Sequence, residues 1–303
     1  TELSDAHFSN LNCSFVRHCF NVALLGEYDF VDGVVLVNSC DNLRRIYDHW
    51  KRQLPTSFVR IMSLPRKTGP PQVDWYQKEL AALRSGMEEH FELEISDSRL
   101  WESIRLHNET RRLQRQLYQL RKAEDPPISG SDTLAVIVAG TAMPKERYNG
   151  MLRDLLEELR DTAGISDYRA RLMVLGSILD DPEYLRVIED QGGLVVTDST
   201  CFGSRIIWKD VREEGEDPIQ ALAQYYVADR HSCPRTFGEH ERRAEFVREM
   251  IREFKVDGVV GERLSFCDQW GFAQYSIEND FREDGVPYLS LEREYILSGV
   301  GQL

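Results

Sequence analysis

Short runs of β-branched and apolar residues, each followed by a stretch with apolar residues at helical spacing, constrain this chain more than any other feature. Residues 34–37, 58–62, 171–176, 193–197, 256–260 and 287–290 read as strands, and helical spacing fills most of the chain between them. A parallel neighbour needs a crossover long enough to hold a helix, so strand-helix alternation implies parallel pairing. The expected fold class is α/β: two Rossmann-like domains with parallel sheets flanked by helices.

The alternation restarts after residue 160, and 303 residues can bury two cores. We therefore expect an N-terminal α/β domain over 1–160 and a C-terminal one over 161–303. Within the first, 42–51 reads as a helix with Asp41 as N-cap. Residues 73–93 and 99–122 carry apolar residues among many charges and read as surface-facing amphipathic helices, a helical insert over about 74–124. Residues 133–142 are expected to be helical with Asp132 as cap, and further helices are expected over 151–162, 182–190, 239–254 and 271–283. The first residue is Thr1 and the first Met is Met62, so both ends read as trimmed and the first domain's strand count as a lower bound.

Lys and Arg number 37 against 51 Asp and Glu, a net charge of −14 that repels polyphosphate and argues against nucleic acid as a partner. No window approaches 18 consecutive apolar residues and no basic-then-apolar leader opens the chain, so the reading is a cytoplasmic protein with no membrane span.

Six cysteines stand at 13, 19, 40, 201, 233 and 267 with no C-x-x-C pair, which excludes a zinc ribbon and a thioredoxin motif. Cys19 falls inside an expected helix and reads as a core residue. Cys13, Cys40, Cys201, Cys233 and Cys267 fall in loops, three of them beyond the carboxyl ends of strands, where ligands of parallel α/β sheets bind. They are either buried apolar thiols or ligands, and placement at the ends of elements favours ligation. With few histidines nearby, a soft iron–sulfur centre suits them better than mixed-ligand zinc. The segment Asp257-Gly258-Val259-Val260 leading to Cys267-Asp268 echoes Asp32-Gly33-Val34-Val35 leading to Cys40-Asp41, as two related halves would. No G-x-G-x-x-G after a strand, no P-loop and no G-x-S-x-G is present. The basic turn at Arg66 and Lys67 reads either as a solvated turn or as a seat for an anion such as a CoA phosphate.

The wording around the cysteines, residues 38–50, 64–67, 175–177, 197–205 and 266–270, resembles the 2-hydroxyacyl-CoA dehydratase and benzoyl-CoA reductase family over nearly the whole chain. The resemblance implies two Rossmann-like domains with a cluster between them, a 4Fe–4S cluster held by Cys13, Cys40 and Cys267, and Cys201 and Cys233 as candidate ligands of a second cubane in an 8Fe–9S double-cubane cluster. The wording near Cys40 and Pro65 is most similar to the catalytic subunits of ATP-dependent benzoyl-CoA reductase. Such a subunit acts on an acyl-CoA beside a paired homologous subunit and takes low-potential electrons from an ATP-dependent activator with its own iron–sulfur cluster. The alternatives are a 2-hydroxyacyl-CoA dehydratase subunit and a non-catalytic electron-transfer partner.

Overall fold

A computed structural model describes residues 1–295. A 3-10 turn, Ser4–Ala6, precedes α1 (Ser14–Leu24), and β1 (Gly33–Asn38), α2 (Asp41–Gln53) and β2 (Phe58–Ser63) follow. The two strands pair in parallel from Gly33 opposite Phe58 to Asn38 opposite Ser63, with α2 as the crossover. Val16 and Phe20 of α1 and Ile46 and Trp50 of α2 form the buried core there. The N-cap of α2 is Cys40, not Asp41, which occupies the first helical turn.

Next come α3 (Pro70–Phe91) and α4 (Asp97–Leu120). The expectation of a surface-facing helix fails for α4, which buries Ile104, Leu113, Leu117 and Tyr118 together with Asn108, Thr110 and Gln114. These polar side chains tolerate burial because each meets a partner distant in sequence. Asn108 exchanges bonds with the Val211 backbone at 2.7 and 2.9 Å, Thr110 donates to Asn149 at 2.7 Å and Gln114 donates to Tyr148 at 3.1 Å. Helix α5 (Gly130–Ala142) forms as expected, but its cap is Ser129, whose Oγ accepts from the Asp132 amide at 3.0 Å. Helix α6 (Lys145–Glu158) starts six residues before the expected 151, directly after Pro144.

The larger sheet comprises β3 (Ala170–Gly176), β4 (Gly193–Ser199), β5 (Gly258–Leu264) and β6 (Tyr288–Arg293), in the order β4-β3-β5-β6 and parallel throughout. Between these strands run α7 (Pro182–Asp190), α8 (Ser204–Ile207), α9 (Pro218–Gln224) with the π-helical turn Tyr225–Asp229, α10 (His240–Glu253) and α11 (Asp268–Glu283). Alternation along β3 sends Met173 and Leu175 into one core with Phe254 and Phe281, and Val174 into another with Leu134 and Tyr184. Both faces of β3 are thus covered, and each of these fully buried side chains contributes about 1.5–3 kcal/mol. The chain leaves β3 for β4 on one side and returns to β5 on the other. That reversal makes the carboxyl ends of β3 and β5 the switch point of the sheet, the place where α/β sheets bind ligands.

Candidate functional site

Three of the loop cysteines occupy one kind of position. Cys13 is the N-cap of α1, Cys40 of α2 and Cys267 of α11, the last two directly beyond the ends of β1 and β5. A helix N-terminus presents unpaired amides and the positive end of the macrodipole, which favours a thiolate. Burial opposes this. It pushes the Cys13 thiol up to about 11 against the amides of Val16 and Phe15, and raises Cys40 against the amides of Leu43 and Asn42. Burial also pushes Cys267 up to about 12, with the charges of Cys13, Cys201 and Cys233 adding to it.

Asn42 ties the loops of these three cysteines together. Its Oδ1 accepts from Asn12 Nδ2 at 2.7 Å and from the Cys13 amide at 3.3 Å, while its Nδ2 donates to the Phe266 carbonyl at 3.4 Å. One buried amide side chain in the first turn of α2 therefore holds the start of α1 and the turn before α11. Tyr295 adds a second tie, its amide donating to Ser14 Oγ at 2.7 Å and its hydroxyl to Asp180 at 2.8 Å.

Cys201 lies in the turn after β4. Asp198 shapes that turn by accepting from the Ser204 amide at 2.9 Å, and a Cβ at Gly203 would overlap the Asp198 carboxylate, so the turn needs glycine there. The Cys201 amide donates to the Ser177 carbonyl at 3.2 Å. Ser177 Oγ in turn accepts from the Leu264 amide at 3.1 Å and donates to Glu262, fixing the ends of β3, β4 and β5 to one another. Glu262 is fully buried and pairs with Arg293 at 2.9 Å. Arg205 donates from Nη2 to Cys201 Sγ at 3.0 Å.

Cys233 stands in the loop before α10. Arg235 donates to the Pro65 carbonyl at 2.6 Å and the Phe237 amide to the Arg66 carbonyl at 2.8 Å, so this loop is seated on the basic turn. Arg66 and Lys67 are exposed, and Lys67, Cys233, Arg230 and Arg235 line a cavity of about 10 Å³, room for about one water. Cys19 lies within α1 against the α1–α2 core. His231 stacks on Phe246 at 3.7 Å between ring centroids, and His18 lies against Tyr295.

The N-cap placement of the cysteines, Asn42, Arg205 and the Ser177–Glu262–Arg293 network are additions to the sequence reading. The cap role had a signal in the acidic residues that follow two of the cysteines, Asp41 and Asp268. Arg205, four residues after Cys201, lies in the first turn of α8, which follows the Cys201 turn. Among the described residues no three Cys, His, Asp or Glu side chains converge on one point as ligands of a single metal ion would. An iron–sulfur cluster instead takes each thiolate on an iron of its own, and an all-thiol donor set at helix N-termini beside a buried, partly unpartnered guanidinium fits an anionic cluster.

Fold and site together define a class: a parallel α/β protein that gathers thiols at strand ends and helix N-termini. The particular family follows from comparison. Residues 1–303 match the model of the family HGD-D, 2-hydroxyglutaryl-CoA dehydratase, D-component, and the chain belongs to that family. It is similar to a subunit of benzoyl-CoA reductase from Thauera aromatica, 27% identical over 95% of this chain and 75% of that one. It is also similar to a provisionally named dehydratase subunit, YjiM, of Escherichia coli (strain K12), 31% identical over 90% of this chain and 72% of that one. The (R)-phenyllactyl-CoA dehydratase beta subunit of Clostridium sporogenes is 23% identical over 97% of this chain and 79% of its own length.

Proposed function

We propose that the chain is an iron–sulfur catalytic subunit of an ATP-dependent benzoyl-CoA reductase, reducing an aromatic acyl-CoA ring with low-potential electrons from an activator ATPase. The observation that carries this reading is the set of cysteine N-caps, Cys13, Cys40 and Cys267, whose loops are joined through Asn42. In this reading they hold a 4Fe–4S cluster between two α/β domains, 1–160 and 161–303, and Cys201 and Cys233 extend the donor set toward an 8Fe–9S double cubane. Bound there, the cluster supplies electrons at a potential negative enough for an aromatic thioester.

The chain's own residues position and shield. Asn42 and Ser177 fix the turns that present the thiols, and the buried surroundings of Cys13 exclude water. In this reading Arg66 and Lys67, exposed beside the Cys233 loop, meet CoA phosphates. A paired homologous subunit and an activator with its own iron–sulfur cluster complete the system, in keeping with relatives named as subunits.

A second reading, a subunit of a 2-hydroxyacyl-CoA dehydratase, is favoured by the description of the family model and by the dehydratase names of two of the relatives. Product chromatography decides between them. Mixed anaerobically with its partner subunit, the activator, ATP and a strong reductant, the protein should convert benzoyl-CoA to a diene thioester. Formation of an enoyl thioester from a 2-hydroxyacyl-CoA, with benzoyl-CoA untouched, would select the dehydratase.

A further inference from the structure

We propose that Arg205 is a positioning residue for electron uptake: the charge-assisted hydrogen bond it donates to Cys201 Sγ raises the reduction potential of the iron–sulfur centre that this cysteine holds. The inference rests on the reading of Cys201 as a cluster ligand and adds to it a residue that sets how readily the centre takes an electron.

Arg205 is 5% exposed, and a buried guanidinium is costly unless its donors and charge are matched. Its Nη2 meets Cys201 Sγ at 3.0 Å, whereas its Nη1 is buried with no hydrogen-bond partner. Its flat face lies over the Trp270 ring, 5.4 Å from the centroid, which fixes the plane of the fork and so the direction of its donors. Trp270 is itself 3% exposed, so this clamp belongs to the core and not to a mobile surface. The arrangement satisfies one donor with sulfur and leaves another facing no protein acceptor, as an anionic group beside Cys201 would require.

The surroundings reinforce the same sign of charge. Arg243 and Arg235, both largely buried, feel the charge of Cys233, and Arg243 also feels Arg205. Burial pushes the Cys201 thiol up to about 11, and the Arg205 charge is the largest influence opposing that rise. Cys13, Cys40 and Cys267 stand at helix N-cap positions instead, and among the described residues no buried cation is bonded to their sulfurs. A fixed cation bonded to a ligand sulfur draws electron density from it and stabilises the reduced, more negative centre. Because a guanidinium stays protonated at every accessible pH, the effect is independent of pH. The step concerned is the entry of one electron from the donor into the iron centre, with no protein bond broken and no proton moved.

The test is an anaerobic redox titration followed by electron paramagnetic resonance, with titanium(III) citrate as reductant. It compares the reconstituted wild type with Arg205→Met, Arg205→Lys and Cys201→Ser, with iron counted in each. Arg205→Met should keep its iron and show a more negative midpoint, with Arg205→Lys in between because an ammonium keeps the charge without the rigid fork. An unchanged midpoint in Arg205→Met at full iron content overturns the proposal. If Arg205→Met does not fold, Arg205→Lys decides, and a midpoint equal to wild type counts against it. Cys201→Ser separates the two layers: if it alters neither iron nor midpoint, the ligand reading falls and takes the proposal with it. If Cys201→Ser alters them while the Arg205 variants do not, only the proposal falls.

Discussion

Replacing Asn42 with alanine removes a side chain that bonds to both the α1 start and the turn before α11. Three hydrogen bonds are lost, at 2.7 Å from Asn12, 3.3 Å from the Cys13 amide and 3.4 Å to the Phe266 carbonyl. The first is of full strength and the other two are long, so their net contributions fall at about 1 kcal/mol and about 0.5 kcal/mol each within the usual range. The sum is about 2 kcal/mol, roughly a thirtyfold change in the folding equilibrium. Urea denaturation of the cluster-free protein under reducing conditions, followed by circular dichroism, measures it as a lowered midpoint at unchanged slope. An Asn42→Ala protein within about 0.5 kcal/mol of wild type, the range of ordinary surface changes, would refute the reasoning that this side chain holds the three loops together.

Other substitutions read out separate parts of the structure. Arg171→Met removes bonds to the carbonyls of Phe254, Ala123, Glu124 and Arg121, at 2.9–3.2 Å, and should lower stability by about 3 kcal/mol or more in the same denaturation assay. Arg293→Met strands the buried Glu262 carboxylate and should cost about 3–5 kcal/mol at neutral pH. Its pH dependence has a definite sign. Burial raises the Glu262 carboxyl above its ordinary range while Arg293 opposes the rise, so the folded state keeps a proton that the unfolded chain releases. Stability therefore falls as pH rises from the ordinary glutamate range through the raised value. In Arg293→Met that fall should extend to higher pH, as denaturation midpoints taken between about pH 4 and 8 would register. Cys19→Ala should leave the iron content of the reconstituted protein unchanged, because Cys19 packs within α1 against the α1–α2 core; loss of iron in that variant would contradict its placement.

The β3–α7–β4 unit was legible to within one or two residues, because its strands are short apolar runs and Pro182 marks the first turn of the helix between them. Helix α4 was legible as a helix but not in its environment. Asn108, Thr110 and Gln114 look like solvent-facing residues until Val211, Asn149 and Tyr148 come to meet them, and no local pattern announces partners 34 to 103 residues away. Cap positions misled for a related reason. Asp41 and Asp132 are strong cap formers by type, yet Cys40 and Ser129 hold the caps, since the turn geometry and not residue type alone decides where the helix begins. At the site, the loop cysteines were visible as strand-end residues. Asn42 was not, because its bonds reach 30 residues back and 224 forward along the chain.

In the proposed function Cys13, Cys40 and Cys267 act together on one iron–sulfur centre. A count of iron and acid-labile sulfide on the anaerobically reconstituted protein and on Cys13→Ala, Cys40→Ala and Cys267→Ala tests it most directly, with circular dichroism confirming that each variant is folded. The three cysteines occupy helix N-cap positions at the ends of elements, outside the strands. Each variant should therefore stay folded and lose the cluster's iron and sulfide together. Folded variants that retain the wild-type complement of both would contradict it.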